Sequence, residues 1–291
     1  MHLAPGDPAS AYITPKMNVA QIARVREMLG LNEPIYVQYI KWLGQVLKGD
    51  LGFSMNDFRP VADVIIEKIP ATLGLMGISM LLSLIISFPL GLYTGYKQNK
   101  PIDRAITLIS YIGISIPVFW FAIMMMYVFA YKLQWVPIAG MNSLGKEGTF
   151  WDTVWHGILP CVVLSIYNIA VYTRYIRSST ISQINEPYIL TEEAYGFSKF
   201  KILTKYVLKN VLLPIITILG MSLPNLIGGA FITETIFAWP GMGRLGVGAI
   251  FAYDYPLIMA TTMLTAMLLI VGNLIADVLY AVVDPRIRSG R

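Results

Sequence analysis

Apolar and polar positions in this chain segregate into long blocks, with no sign of residue-by-residue alternation. Residues 71–96 and 105–131 contain no Asp, Glu, Lys or Arg, and only the short basic linker 97–104 separates them. A bilayer core about 30 Å thick is crossed by roughly 20 apolar residues in a helix, so this pair predicts a membrane hairpin. A third run, 157–173, lies between His156 and Arg174 and is the shortest. A fourth, 211–233, ends at Glu234, and a fifth, 255–283, carries Asp277 in its last third. The period-two pattern of barrel strands is absent, which leaves helices as the spanning structure.

Residues 1–70 differ. Pro, Asp, Asn and charges are frequent there, and no window is long enough to cross a bilayer. Within it, Ile22, Val25, Met28 and Leu29 share one helical face, and Ile35, Tyr39 and Trp42 continue the pattern beyond Pro34. Two short amphipathic helices joined by a turn at residues 30–34 are expected. No internal repeat is visible. The organisation read from the pattern is a polar segment 1–70, a membrane domain 71–283 with a long loop at 174–210, and a tail 284–291.

Composition narrows the class. Of 291 residues, 56% are hydrophobic and only 13% are charged, so lipid must supply part of the solvent. The single Cys161 rules out an intramolecular disulfide. The net charge of +5 does not point to nucleic acid, because the 22 Lys and Arg are thinly spread among apolar runs. They sort by membrane side instead. Loop 97–104, segment 174–210 and the tail hold twelve basic residues, against Lys132, Lys146 and Arg244 on the other side. The positive-inside rule then makes the twelve cytoplasmic. With five helices and a cytoplasmic C-terminus, residues 1–70 lie outside, yet nothing before them reads as a signal peptide. A further helix preceding Met1 is therefore expected.

The long loop carries the sharpest pattern. Gly196 suits a helix end and Ser198 a new N-cap, which predicts two short helices joined at a bend. In the second, Phe197, Phe200, Leu203 and Val207 fall on one face, while Lys201, Lys205 and Lys209 stack on another. Periodicity alone allows a basic helix resting on lipid headgroups.

Residues 188–214, with Ala194, Gly196 and Leu212-Leu213-Pro214, resemble the cytoplasmic loop motif of binding-protein-dependent ABC transporter permeases. Other segments are similar to the dipeptide, oligopeptide and nickel importer branch of that family. They are Ala4-Pro5-Gly6-Asp7-Pro8, Gly49-Asp50-Leu51-Gly52-Phe53-Ser54, Ile114-Ser115-Ile116-Pro117-Val118-Phe119-Trp120, Glu234-Thr235-Ile236-Phe237-Ala238-Trp239-Pro240-Gly241-Met242-Gly243-Arg244, Asp254-Tyr255-Pro256 and Asp284-Pro285-Arg286-Ile287-Arg288. They run in order along nearly the whole chain.

The resemblance implies an all-α polytopic inner-membrane permease of a bacterium or archaeon. The family has six transmembrane helices, of which five are present here and the first is missing. It further implies a second homologous permease subunit, two ATP-binding subunits that use ATP and Mg, and an extracytoplasmic solute-binding protein, with no cofactor or metal in this chain. Leu190, Thr191, Glu192, Glu193, Ala194, Tyr195 and Gly196 would form the helix that sits in an ATPase cleft. Glu192 and Glu193 stand where related chains often carry small or basic residues. The implied solute is a di- or oligopeptide, with nickel or another small solute as the alternative. Residues 1–70 and loop 132–156 would dock the binding protein. Spans two, four and five would line the path.

Polar groups in spans are costly and often functional. Asn168, Asn225, Glu234 and Asn273, with Trp239 and Arg244, are the pore or gate candidates, although interhelical hydrogen bonding is the commoner role of such amides. Glu234 and Asp277 lie near helix ends, where water or a neighbouring base is expected within reach. Gly91 and Gly95 have the spacing of a close helix approach. Gly241, Gly243 and Gly246 match the dinucleotide-binding pattern, but that pattern needs a preceding strand, so a re-entrant turn is the better reading. No Walker-type phosphate loop occurs. His2 and His156 lack paired ligands, and His156 reads as polar surface, so hydrolase chemistry is a weak alternative. A stand-alone secondary transporter would be expected to show internal symmetry and midplane charges.

Overall fold

The computed structural model describes residues 13, 17–28, 30–228 and 230–283. Among them the regular elements are helices, and the sole extended pairing is an isolated bridge between Phe53 and Pro60. The Ala4 to Pro8 motif and the basic tail lie outside the described residues, as does the side chain of Asn225.

Helices α1 (Val19–Met28) and α2 (Ile35–Val46) flank a turn at Gly30, whose φ of +67° favours a residue without Cβ. Gln38 closes that turn by donating to the Glu33 carbonyl at 2.8 Å. The two-helix expectation for this segment is met. A loop then leads into α3 (Val61–Tyr96), whose 36 residues are about 54 Å long. The compositional boundary at residue 70 falls inside this helix. Its apolar span starts near Ala71, but the helical backbone begins ten residues earlier and runs through Pro70.

Residues 105–131 do not form one straight span. Helix α4 (Pro101–Ser115) and helix α5 (Val118–Met125, continued by a π-turn over Met126–Lys132) meet at 98°. The cause is Pro117. Its ring disfavours helical backbone at the preceding residue, and Ile116 adopts φ −78°, ψ 124°. Helix α6 (Phe150–Ile184) is twice as long as the uncharged run 157–173. Its charged residues, Asp152, Arg174 and Arg177, lie outside that uncharged run.

Next come α7 (Pro187–Ala194) and α8 (Lys199–Lys201), which passes through a π-turn, Ile202–Val207, into α9 (Leu208–Gly228). The stretch bends by 44° beside Pro214. The fourth apolar run stops short of its expected end. Helix α10 (Phe231–Ile236) restarts beyond a break and is followed by α11 (Met242–Phe251) and α12 (Tyr255–Val283). Among the described residues, three helices are long and apolar enough to cross a membrane, five if each bent pair counts as one span.

Helices α3 and α6 pack along their lengths. A Cβ on Gly91 would lie 2.5 Å from Ile176 Cβ, and one on Gly95 2.6 Å from Thr180 Cβ. The two glycines therefore permit the approach that their spacing predicts. Small hydroxyls fill the seam. Ser165 donates to the Ser79 carbonyl at 3.1 Å, and Ser83 donates back along its own helix at 2.6 Å. One apolar core joins α3, α11 and α12 around Val61, Val64 and Leu257. A second joins α6, α7 and α9 around Ile176, Ile189 and Val211.

Candidate functional site

Candidate residues gather at three levels of the bundle. At the end where α3 finishes and α4 begins, α7 stands on a fixed base. Pro187 opens it at the first helical position, where a missing N–H costs nothing. It closes in a Schellman arrangement: Phe197 N–H donates to the Glu192 carbonyl at 3.2 Å and Gly196 N–H to the Glu193 carbonyl at 2.9 Å. Gly196 has φ +75°. Ser198 then caps the next helix, accepting from Lys201 N–H at 3.3 Å, as its position predicts.

The base is polar and apolar together. Ile189 is buried against Tyr172, Ile202 and Val207. Tyr188 donates to Gln183 Oε1 at 2.9 Å, and Asn210 donates to the same oxygen at 2.9 Å, so α6, α7 and α9 share one knot. The outer face of α7 is bare, with Leu190 and Tyr195 exposed at 70% and 75%. Thr191, Glu193, Ala194 and Gly196 are exposed as well, and Glu192 is half-buried.

The face expected in the second helix is shifted. Phe200 is exposed, and Ile202 is buried together with Val207. A π-turn places residues five apart above one another, where a regular helix would align positions three or four apart. Beside this knot, Arg177 holds Asp103 through two hydrogen bonds of 2.5 and 2.8 Å, and Arg174 lies 4.3 Å from the Tyr111 ring centre. Both contacts tie α4 to α6. The only acidic residue in the basic linker was the available sequence signal for the first.

At the opposite end, Glu234 is wholly buried, against the expectation that it reaches water or a base. Its carboxylate accepts from the Thr72 hydroxyl at 2.9 Å and from the Arg244 backbone N–H at 3.1 Å. Thr72 in turn accepts from Met242 N–H at 2.7 Å. The Arg244 guanidinium turns away to the Ala238 carbonyl at 2.7 Å. Backbone donors in the first turn of α11 thus replace a basic side chain.

The glycines of that turn make room for the carboxylate. A Cβ on Gly241 would strike Glu234 and Thr72, and one on Gly243 would lie 2.5 Å from Phe231 Cα. No strand precedes them, in keeping with a re-entrant turn. Trp239 is buried here, donating to the Ala71 carbonyl at 2.9 Å and covering Gly157. The loop before α6 joins in, through Gly140 N–H and the Phe237 carbonyl at 2.8 Å. His156 is buried too, at 7% exposure, where polar surface was expected, because α6 continues past it.

Two segments far apart in sequence also meet at this end. The Ser54 hydroxyl donates to Asp254, which lies between α11 and α12, and both residues are about 1% exposed. The Gly49 to Ser54 and Asp254 to Pro256 motifs are therefore one contact. Of the other pore candidates, Asn168 lines a cavity midway along α6. Asn273 is exposed on α12 and joins neither cluster, and Asp277 is exposed on the same helix. Thr72, which gives no signal in sequence, emerges as a principal partner of Glu234.

Comparison with known proteins decides the family. Residues 87–289 match the model of the binding-protein-dependent transport system inner membrane component, and residues 1–76 match that of its N-terminal region. The chain belongs to this family. This inner membrane component is 45% identical to the oligopeptide transport system permease protein AppB of Bacillus subtilis, over 99% of this chain and 91% of that one. It is 35% identical to the dipeptide transport system permease protein DppB of Alkalihalophilus pseudofirmus, over 99% and 92%. It is also 35% identical to the glutathione transport system permease protein GsiC of Salmonella paratyphi A, over 99% and 91%.

Among solved structures, the inward-facing MetNI methionine ABC transporter shares the fold, with a TM-score of 0.62 over 76% of this chain and 96% of that one at 16% identity. The component is accordingly a multi-pass, all-helical inner-membrane transport subunit and not an enzyme. Its family implies a binding protein and an ATPase as partners.

Proposed function

We propose that this chain forms half of the translocation pathway of an ATP-driven importer of di- or oligopeptides. A second homologous permease supplies the other half, and two ATP-binding subunits, using ATP and Mg, drive the cycle. The observation that carries this reading is α7. It presents bare Leu190 and Tyr195 while Ile189, Tyr188 and the Gly196 turn hold it rigidly against α6 and α9. A push on such a surface moves the helices behind it. Nucleotide can shift the pore only through contacts that differ between its two states.

The peptide assignment is supported by relatives named for oligopeptide, dipeptide and glutathione transport. The basic end carrying α7 faces the cytoplasm, as does the tail, and residues 1–70 lie outside. There they and loop 132–156 dock the solute-binding protein. Spans two, four and five line the path, with the Glu234 turn near its outer mouth.

The test is reconstitution of the four-part complex in vesicles with its binding protein, whose captured ligand is identified by mass spectrometry. ATP-dependent peptide uptake is expected. Replacing Gly196 with Val forces a branched side chain into left-handed backbone, at a cost of about 1–3 kcal/mol. ATP hydrolysis should then continue while uptake falls at least tenfold. Uptake at the wild-type rate in Gly196→Val, or uptake by the isolated chain without ATPase, would refute the coupling role.

A further inference from the structure

Halfway along the bundle lies a cavity of about 330 Å³ bounded by α3, α5, α6 and α10. Its depth follows from its walls. Asn168 is at the midpoint of α6, and Met76 and Met80 flank the midpoint of α3. It therefore lies within the apolar part of the bundle, next to the level of Glu234.

Two residues that line this space carry polar groups without hydrogen-bond partners among the described residues. The Thr233 hydroxyl is about 99% buried and makes no hydrogen bond, and the Asn168 amide makes none with the described residues. An unpaired buried hydroxyl costs about 1–3 kcal/mol, so its placement here needs a reason. Both groups donate and accept, as a peptide bond does. The remaining wall is mostly apolar and soft, with Met76, Met80 and Phe231 prominent, and is interrupted by Ser79, Tyr167 and Tyr172. Methionine adapts its shape to different neighbours. No Asp, Glu, Lys, Arg, His or Cys lines the cavity. A divalent metal ion would find no ligand set there, and a free carboxylate or ammonium no counter-charge.

We infer that this cavity is a transient subsite for the solute in transit, holding one uncharged apolar side chain of a peptide with Asn168 and Thr233 bonded to its backbone amide. Its volume is at the lower end of the roughly 300–1,000 Å³ found for small-molecule sites, enough for one or two residues and too small for a longer segment. Broken helices at the bilayer midplane are a recurring way to build such a site, and here the break lies just before α10. The inference rests on the peptide-importer reading and deepens it, adding α3 and α6, the first and third spans, to the spans that line the path.

The test uses the complete complex with its binding protein in vesicles and a dipeptide carrying benzophenone-phenylalanine. Photolysis during turnover should label α6 near Leu164 and Asn168. Thr233→Val, which keeps shape and removes the hydroxyl, and Asn168→Leu should each slow uptake of Phe-containing dipeptides and of Gly-Gly alike, about 5–10-fold, because both solutes carry the backbone amide. Met76→Ser, which makes the apolar wall polar, should slow Phe-containing dipeptides about 5–10-fold and Gly-Gly less than twofold. Equal slowing of both dipeptides by Met76→Ser, or uptake unchanged in all three variants with labelling confined to other helices, overturns the subsite and leaves the importer standing. Labelling that occurs equally without binding protein and ATP identifies a lipid-filled or adventitious crevice, and also overturns it. If wild-type complex moves no peptide at all, the importer reading itself fails, and the subsite with it.

Discussion

At the scale of single residues, the Glu234 carboxylate shows how an acid is kept inside this bundle. Nothing of opposite charge meets it. A threonine from α3 and backbone N–H from the first turn of α11 surround it, and two glycines clear the space. Thr72 is both donor and acceptor in that set, so Thr72→Val leaves Met242 N–H and one carboxylate oxygen short of a partner. The expected loss is about 1–3 kcal/mol, read as earlier thermal unfolding in detergent. Thr72→Ser should restore most of it. The acid and the glycines stood out in sequence because charge and Gly-rich spacing are unusual next to a span. Thr72 did not, since its role comes from a fold-back of 162 positions.

Among elements, the α3–α6 seam is the most exacting. Gly91 and Gly95 let the helices touch, and the neighbouring Ile176 and Thr180 fill the space that a side chain would need. Gly91→Ala already places a methyl too close to Ile176. Overpacking of that size costs about 1–3 kcal/mol. Gly91→Leu should separate the helices, seen as loss of the folded fraction on size-exclusion chromatography. An unchanged elution profile for the leucine variant would show the seam to be less tight.

The helices themselves were legible from apolar runs, and so were the Gly30 turn and the Ser198 cap, because these depend on local backbone chemistry. Ends were legible only in part. The charged ends of α6 and the N-terminal turns of α3 are helical for packing reasons that composition does not record. Pro117 was visible as a breaker, but the 98° bend it produces depends on what α5 packs against, around Leu159 and Val163 of α6.

For the molecule as a whole, the Asp103–Arg177 pair fastens the α4 end of the bent span to α6 at the α7 level. Asp103 is 2% exposed, while the Arg177 side chain is 24% exposed. Removing one partner should cost about 3 kcal/mol, the lower end for a buried pair because Arg177 reaches solvent. Asp103→Leu combined with Arg177→Met should cost less than either change alone in chemical unfolding, since no charge is then left unpaired.

Topology is testable on the same scale. With Cys161→Ser as background, single cysteines at Asn99 and at Leu144, both exposed, should label with an impermeant maleimide from opposite faces of sealed vesicles. Labelling of both from one face would overturn the arrangement.

The sequence alone determined that this chain is helical, lives in lipid, and keeps its positive charge in segments between apolar runs, because each of these follows from residue type summed over a local window. It also marked α7 as a short helix set apart from the next one, through Gly196 and Ser198, whose effects are confined to neighbouring turns. Tertiary structure decided what those elements enclose. Glu234 is buried by Thr72, Ser54 finds Asp254, Gln183 gathers Tyr188 and Asn210, and Asn168 and Thr233 line one uncharged cavity. These residues come from different elements, and a hydrogen bond or a shared cavity depends on distance and direction in space, which no local pattern of hydrophobicity encodes.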